Sequence, residues 1–205
     1  MSLAAALWTA SADLAERARS HPFVRALADG SLPRPTFQHF ILQDAFFLDA
    51  FARAYALGLA RSPDRTGVRD FFTLLSGVLE ELEMHASYAA SWGVDVAGAQ
   101  PAPATLAYTD FLLATASLAG VGETCAAMTP CMRLYAYLGH GLASQVLPEN
   151  PYAAWVRTYA APEFLGLAER LEGLLDRYAT DSERVRDAYR RAMLLELGFF
   201  DAACA

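Results

Sequence analysis

Thr129-Pro130-Cys131-Met132-Arg133-Leu134-Tyr135 is the stretch on which the reading of this chain turns. It lies within residues 122–140, where Ala126, Ala127, Met128, Leu134, Tyr135 and Leu138 recur at helical spacing and make one apolar face. A proline stands in the middle of that helix. Pro130 has no N–H and its ring crowds the carbonyl of Ala126, so a kink is expected there. Cys131 follows at once, and Tyr135, four residues on, shares its face. A thiol beside a kink, with a phenol one turn away, reads as a placed nucleophile. The plainer reading is a small buried hydrophobe, which is what most free cysteines are. The remainder of the chain bears on the choice.

Working outward, the pattern stays helical. Ser11 or Asp13 can cap a helix running to about residue 18, and Ser20-His21-Pro22 ends it. A short helical piece over 23–28 stops at Asp29-Gly30. Pro33 and Thr36 open a long helix through Phe37, Phe40, Ile41, Asp44, Phe47, Leu48, Phe51 and Tyr55 to about residue 60. Ser62-Pro63-Asp64 is a turn. Further helices are expected over 65–92, 105–119, 123–145, 152–159 and 162–178, with a last one capped by Asp181. Residues 93–103, rich in Gly, Ala and Pro, read as a loop. No segment alternates as a strand, no repeat of 20–50 residues is evident, and no linker divides the chain. The expectation is one all-α domain over residues 1–205, a bundle of about seven main helices. Several helices lack a broad polar face, which predicts further burial in a homo-oligomer.

Composition narrows the chemistry. A chain of 205 residues can bury a sizeable core. It is 55% hydrophobic, yet no apolar run reaches the roughly 18 residues of a membrane span. The first residues lack a basic segment ahead of their apolar run, so no signal peptide is read and a cytoplasmic location is expected. A net charge of −7 argues against direct nucleic-acid binding, which needs a basic face. All sixteen basic residues are Arg. Without Lys there is no Schiff base, no pyridoxal phosphate chemistry and no phosphate-binding loop lysine. The three cysteines, Cys125, Cys131 and Cys204, form no C-x-x-C. Cys125 and Cys131 turn to different helix faces, so free thiols are expected.

Two acids stand in apolar surroundings. Asp44 lies in Leu42-Gln43-Asp44-Ala45-Phe46-Phe47-Leu48, and Phe47, on the same face, could stack on a flat ring. Asp44 is either hydrogen-bonded to another helix or a working carboxylate. Glu196 lies in Met193-Leu194-Leu195-Glu196-Leu197-Gly198-Phe199-Phe200. It is either turned to solvent or buried with a raised pKa suited to proton transfer. Tyr108, Tyr135 and Tyr159 are core residues or pocket linings whose hydroxyls orient a polar heterocycle. Glu81 and Glu83 with His85 suggest a metal site at first sight. The Glu-x-x-His spacing of di-iron bundles is absent, because position 82 is Leu, so no metal is expected. His85 and His140 read as structural or surface groups.

These residues resemble the TenA/thiaminase II family. The run Phe37-Gln38-His39-Phe40-Ile41-Leu42-Gln43-Asp44-Ala45-Phe46-Phe47-Leu48 is similar to its second-helix signature. Thr129–Tyr135, the stretch Tyr152-Ala153-Ala154-Trp155-Val156-Arg157-Thr158-Tyr159, and Glu196-Leu197-Gly198-Phe199-Phe200-Asp201 are similar to three more, in order along the chain. The resemblance implies a heme-oxygenase-like all-α fold, usually a homotetramer, without heme, metal or other cofactor. It implies hydrolysis of thiamin, or of its aminomethyl-aminopyrimidine breakdown product, to hydroxymethylpyrimidine. Cys131 would be the nucleophile, Glu196 the proton carrier, and Asp44 the anchor of the ring nitrogen and amine. Phe47 would stack on the ring, with Tyr108, Tyr135 and Tyr159 completing the pocket. Tyr108 rests on a shorter match, Leu106-Ala107-Tyr108-Thr109-Asp110. The chain departs from many relatives at Phe199-Phe200, where they carry Phe-Trp, and at Arg133, where an apolar or aromatic residue is expected. A non-catalytic regulatory member of the family is the alternative. The lack of a basic face and of a helix-turn-helix weighs against direct DNA contact.

Overall fold

The computed structural model describes residues 1–94 and 99–204, without the side chains of residues 84, 85, 87, 88 and 91. Part of the loop read over residues 93–103 and the side chain of His85 therefore lie outside the described residues. The described chain is helical, in the order α1 (Leu3–Ala10), α2 (Ala12–Arg19), α3 (Pro22–Asp29), α4 (Arg34–Arg61), α5 (Arg65–Ser91), α6 (Pro103–Leu118), α7 (Val121–Ala143), α8 (Ala153–Ala160), α9 (Pro162–Tyr178) and α10 (Glu183–Ala203). The sequence reading of about seven main helices is thus an approximation to ten described ones. It passed over α1, whose Ser2 side chain accepts the Ala5 N–H as N-cap.

The punctuation follows local chemistry. Pro22 fills the first position of α3, and the ring of His21 accepts the Phe23 N–H. Gly30 ends that helix at φ 80, a left-handed conformation that glycine adopts without strain. Ser182, and not Asp181, caps α10 by accepting the Val185 N–H; Asp181 instead pairs with Arg186 at 3.1 Å. Helix α7 continues through Pro130 as one helix. One residue earlier the Thr129 hydroxyl donates to the Cys125 carbonyl at 2.7 Å, anchoring the turn where the proline removes a donor.

Helix α7 is the axis of the bundle, packed by α4, α6, α8, α9 and α10. Its Cys125, Ala126, Met128, Thr129 and Leu134 are wholly buried. Two glycines allow neighbours to come close. A Cβ at Gly139 would sit 2.6 Å from the Tyr159 carbonyl oxygen, and one at Gly122 would sit 2.6 Å from that of Tyr178. Gly139 thereby lets the backbone of α8 lie directly on α7. Elsewhere the core is aromatic: Phe23, Phe40 and Phe200 stack at 4.8–6.4 Å between α3, α4 and α10. Burying each such ring contributes about 2–3 kcal/mol before conformational entropy is charged against it. Among the described residues, no helix is long and apolar enough to cross a membrane.

Candidate active site

Helical stripes from five elements enclose one cleft. Helix α4 presents Asp44, Phe47, Leu48, Phe51 and Tyr55, residues spaced as a single face. Helix α5 presents Leu74, Gly77, Val78 and Glu81 on the same principle. Helix α7 supplies Cys131, Met132 and Tyr135, while Tyr159 of α8 with Phe164 and Leu167 of α9 closes the wall. Glu196 reaches the thiol from α10. Its carboxyl lies near the Cys131 sulfur and accepts a hydrogen bond, at 2.7 Å, from the Tyr108 hydroxyl on α6. Tyr159 donates to Glu81 Oε1 at 2.9 Å.

Contacts behind the cleft hold these groups in place. The Gln43 amide oxygen accepts from the Ala102 N–H at 2.8 Å and the Thr105 hydroxyl at 2.7 Å, and its amide nitrogen donates to the Gln100 carbonyl at 3.2 Å. Gln43 thus pins the start of α6, and Tyr108 follows Thr105 by one turn. The Phe47 ring lies 4.7 Å from Tyr108 and 5.3 Å from Phe51. Tyr159 meets Tyr135 edge to face at 4.9 Å and Phe164 at 4.9 Å.

The electrostatics follow from enclosure. Burial raises Asp44 from 3.8 to about 7. Burial likewise raises Glu196 from 4.5 to about 7; the Tyr108 hydrogen bond opposes the rise and the nearby Asp44 charge adds to it. Burial pushes the Cys131 thiol well above its ordinary range, and the charges of Glu196, Asp44 and Glu81 push it further. The sulfur therefore rests as a thiol, and a thiolate forms only as a partner takes its proton. Glu196, whose charge bears directly on that sulfur, is such a partner. Burial also raises Tyr55, Tyr108, Tyr135 and Tyr159, so all four stay neutral phenols. No Arg or His is among the described residues that line the cleft.

The cleft holds about 420 Å³ of space between atoms, its mouth included, but only about 20 Å³ could receive the centre of a water molecule. That is room for about one water, so side chains must shift to admit a flat ring. A larger groove, with about 1070 Å³ of space between atoms and open solvent included, lies outside, by Arg19, Arg25, Asp29 and Leu142. It is open to solvent, and its described lining carries neither thiol nor buried carboxyl.

Seven residues singled out in the sequence converge here. Asp44, Phe47, Cys131, Tyr135 and Tyr159 line the cleft together; Glu196 and Tyr108 complete it through the thiol. At 2% exposure, Glu196 is not a solvent-facing acid. Arg133 turns away, its guanidinium 5.1 Å over the Trp8 ring and 3.5 Å from Glu172, because two residues along a helix is the opposite face from Cys131. Glu81, which the sequence reading weighed only as a metal ligand, and Tyr55, which it placed only along the long helix, also line the cleft. Among the described residues no group of three or more His, Cys, Asp or Glu could hold a metal ion.

Comparison with known proteins bears on the family. The chain is 35% identical over 204 residues to the thiamine biosynthesis multifunctional protein ThiED of Corynebacterium efficiens, matching 97% of this chain and 28% of that one. It is 36% identical to the mitochondrial bifunctional TH2 protein of Arabidopsis thaliana, over 88% of this chain and 34% of that one. The chain thus spans about a third of the length of these two relatives. An aminopyrimidine aminohydrolase of Halalkalibacterium halodurans is 32% identical, with 99% of this chain and 96% of that one covered. A TenA homologue from P. horikoshii superposes with a TM-score of 0.90 at 26% identity, over 99% of this chain and 98% of that one. The model of the TENA/THI-4/PQQC family matches residues 8–205, and with the fold and these relatives it leaves one assignment: this chain belongs to that family.

Proposed function

We propose that this protein hydrolyses an aminopyrimidine, either thiamin or its aminomethyl breakdown product, to hydroxymethylpyrimidine, with Cys131 as nucleophile. One observation carries the reading: a thiol, two acids with midpoints near 7 and an aromatic face meet at one enclosed cleft whose described lining residues include no Arg or His. An aminopyrimidine is flat, weakly basic and rich in N–H groups. Carboxyl groups suit its nitrogens and an aromatic face suits its ring. A phosphate would find no cation among the described lining residues.

In this mechanism Asp44 holds the ring nitrogen and exocyclic amine, and Phe47 stacks on the ring. Glu196 takes the thiol proton as Sγ bonds to a ring carbon and hands it to a ring nitrogen, which leaves Glu196 a carboxylate again. The ring electrons then expel the leaving group, which departs with the electron pair of the C–N bond. Water adds to the exocyclic carbon and gives its proton to Glu196. Sγ leaves with its bonding pair and takes the proton from Glu196, the ring nitrogen releases its proton to the departed amine or to solvent, and Tyr108 keeps Glu196 oriented throughout. Relatives named for thiamin biosynthesis and aminopyrimidine hydrolysis support the substrate class.

Exposed Phe72, Leu118 and Leu147 support self-association, for which a tetramer is our reading. Three cysteines without a disulfide suit a reducing cytoplasm. The test is Cys131→Ser. Release of hydroxymethylpyrimidine should vanish while the far-UV circular dichroism stays that of the parent. Surviving turnover would mean that the covalent route is wrong.

A further inference from the structure

The mechanism above leaves two cleft residues without a task. Glu81, on α5, lines the cleft and accepts the Tyr159 hydroxyl. Tyr55, on α4, lines it as well, is 1% exposed, and its hydroxyl makes no hydrogen bond. A buried hydroxyl without a partner is uncommon, because it has given up water and gained nothing in return. Tyr55 stands three turns beyond Asp44, yet its side chain leans back toward the helix N-terminus. Its hydroxyl lies within electrostatic reach of both Cys131 and Glu81.

We infer that Glu81 and Tyr55 hold the departing amine of the substrate as an ammonium ion. This rests on the pyrimidine hydrolase reading and adds to it a subsite for the leaving group. An ammonium carries N–H donors only and no acceptor. A carboxylate and a phenol oxygen supply acceptors, and no described lining residue competes as a cation. Once Sγ has bonded to the ring, the C–N bond breaks with its electron pair on nitrogen. An amine bound as ammonium then leaves as neutral ammonia and needs no proton from Glu196. The product bears a hydroxyl in the same place, with one donor where the ammonium had three. Glu81 is less well matched by that product, which favours its release.

The test uses the inert Cys131→Ser protein and calorimetric titration near neutral pH with two ligands, the aminomethyl and the hydroxymethyl aminopyrimidine. The amine should bind about tenfold or more tightly than the alcohol, about 1.4 kcal/mol per tenfold step. Adding Glu81→Gln or Tyr55→Phe should shrink that ratio toward one, with affinity for the alcohol held within about twofold. The inference is overturned if the ratio survives both changes, or if both ligands weaken equally, as a merely structural role would cause. It also fails, alone, if Cys131→Ser binds both ligands with no preference. If that protein binds neither, the pyrimidine reading itself has failed and this inference goes with it.

Discussion

Replacing Glu196 by Gln should make the protein more stable above neutral pH while removing its activity. The carboxyl is 2% exposed and its midpoint stands at about 7 against an ordinary 4.5. A raised midpoint means that the folded state holds a proton the unfolded chain has already lost. The contribution of this group to stability is therefore highest below about 4.5, falls as pH rises from there to about 7, and is level above. The loss is about 3 kcal/mol at ~1.4 kcal/mol per pH unit. Glutamine is close in shape, keeps an oxygen for the Tyr108 hydroxyl and carries no charge to bury. It should also relieve Asp44, whose charge and that of Glu196 oppose each other in the same enclosure. Urea unfolding of both proteins, near pH 4 and near pH 8, measures the effect. The variant should match the parent near pH 4 and exceed it near pH 8 by about 2–3 kcal/mol. A variant less stable at the higher pH, or a difference independent of pH, would refute the assignment of a buried, reluctant carboxylate.

The other predictions concern the same cleft. The rate constant kcat/KM should rise with pH through about 7, as Glu196 gains the charge that accepts the thiol proton, and Glu196→Gln should lose this rise; stopped assays across pH decide it. Gly139→Ala should destabilise by about 1–3 kcal/mol, because its methyl meets the α8 backbone at Tyr159, and should lower turnover by displacing that phenol. Gln43→Ala should cost about 1–3 kcal/mol and lower kcat more than it raises KM, since the start of α6 and hence Tyr108 lose their anchor.

Periodicity and breakers made most of this fold legible, because Gly30, Pro22 and Ser62-Pro63-Asp64 act locally. The site was legible where an acid or thiol stands out against apolar neighbours, as Asp44, Cys131 and Glu196 do. Glu81 was hidden by company, in Glu80-Glu81-Leu82-Glu83. Only its spacing from the buried Leu74 and Val78 sets it on the inward stripe, and that stripe is defined by packing against α4. Tyr55 reads as an ordinary core tyrosine until its hydroxyl is seen to lack a partner. The rotation of Arg133 was present in the sequence, since helical geometry alone turns it from Cys131. The Ser182 cap was missed because Asp181 beside it has equal capping propensity, and only the Arg186 ion pair decides between them.

The central claim is that Cys131, Asp44 and Glu196 surround one planar base. A crystal structure of the Cys131→Ser protein with hydroxymethylpyrimidine tests it directly. The ring should lie on Phe47 with Asp44 at its nitrogens and the side chain of residue 131 about 3–3.5 Å from a ring carbon. A base bound in the outer groove beside Arg19 and Arg25, or a cleft left without ligand at saturating concentration, would contradict the account.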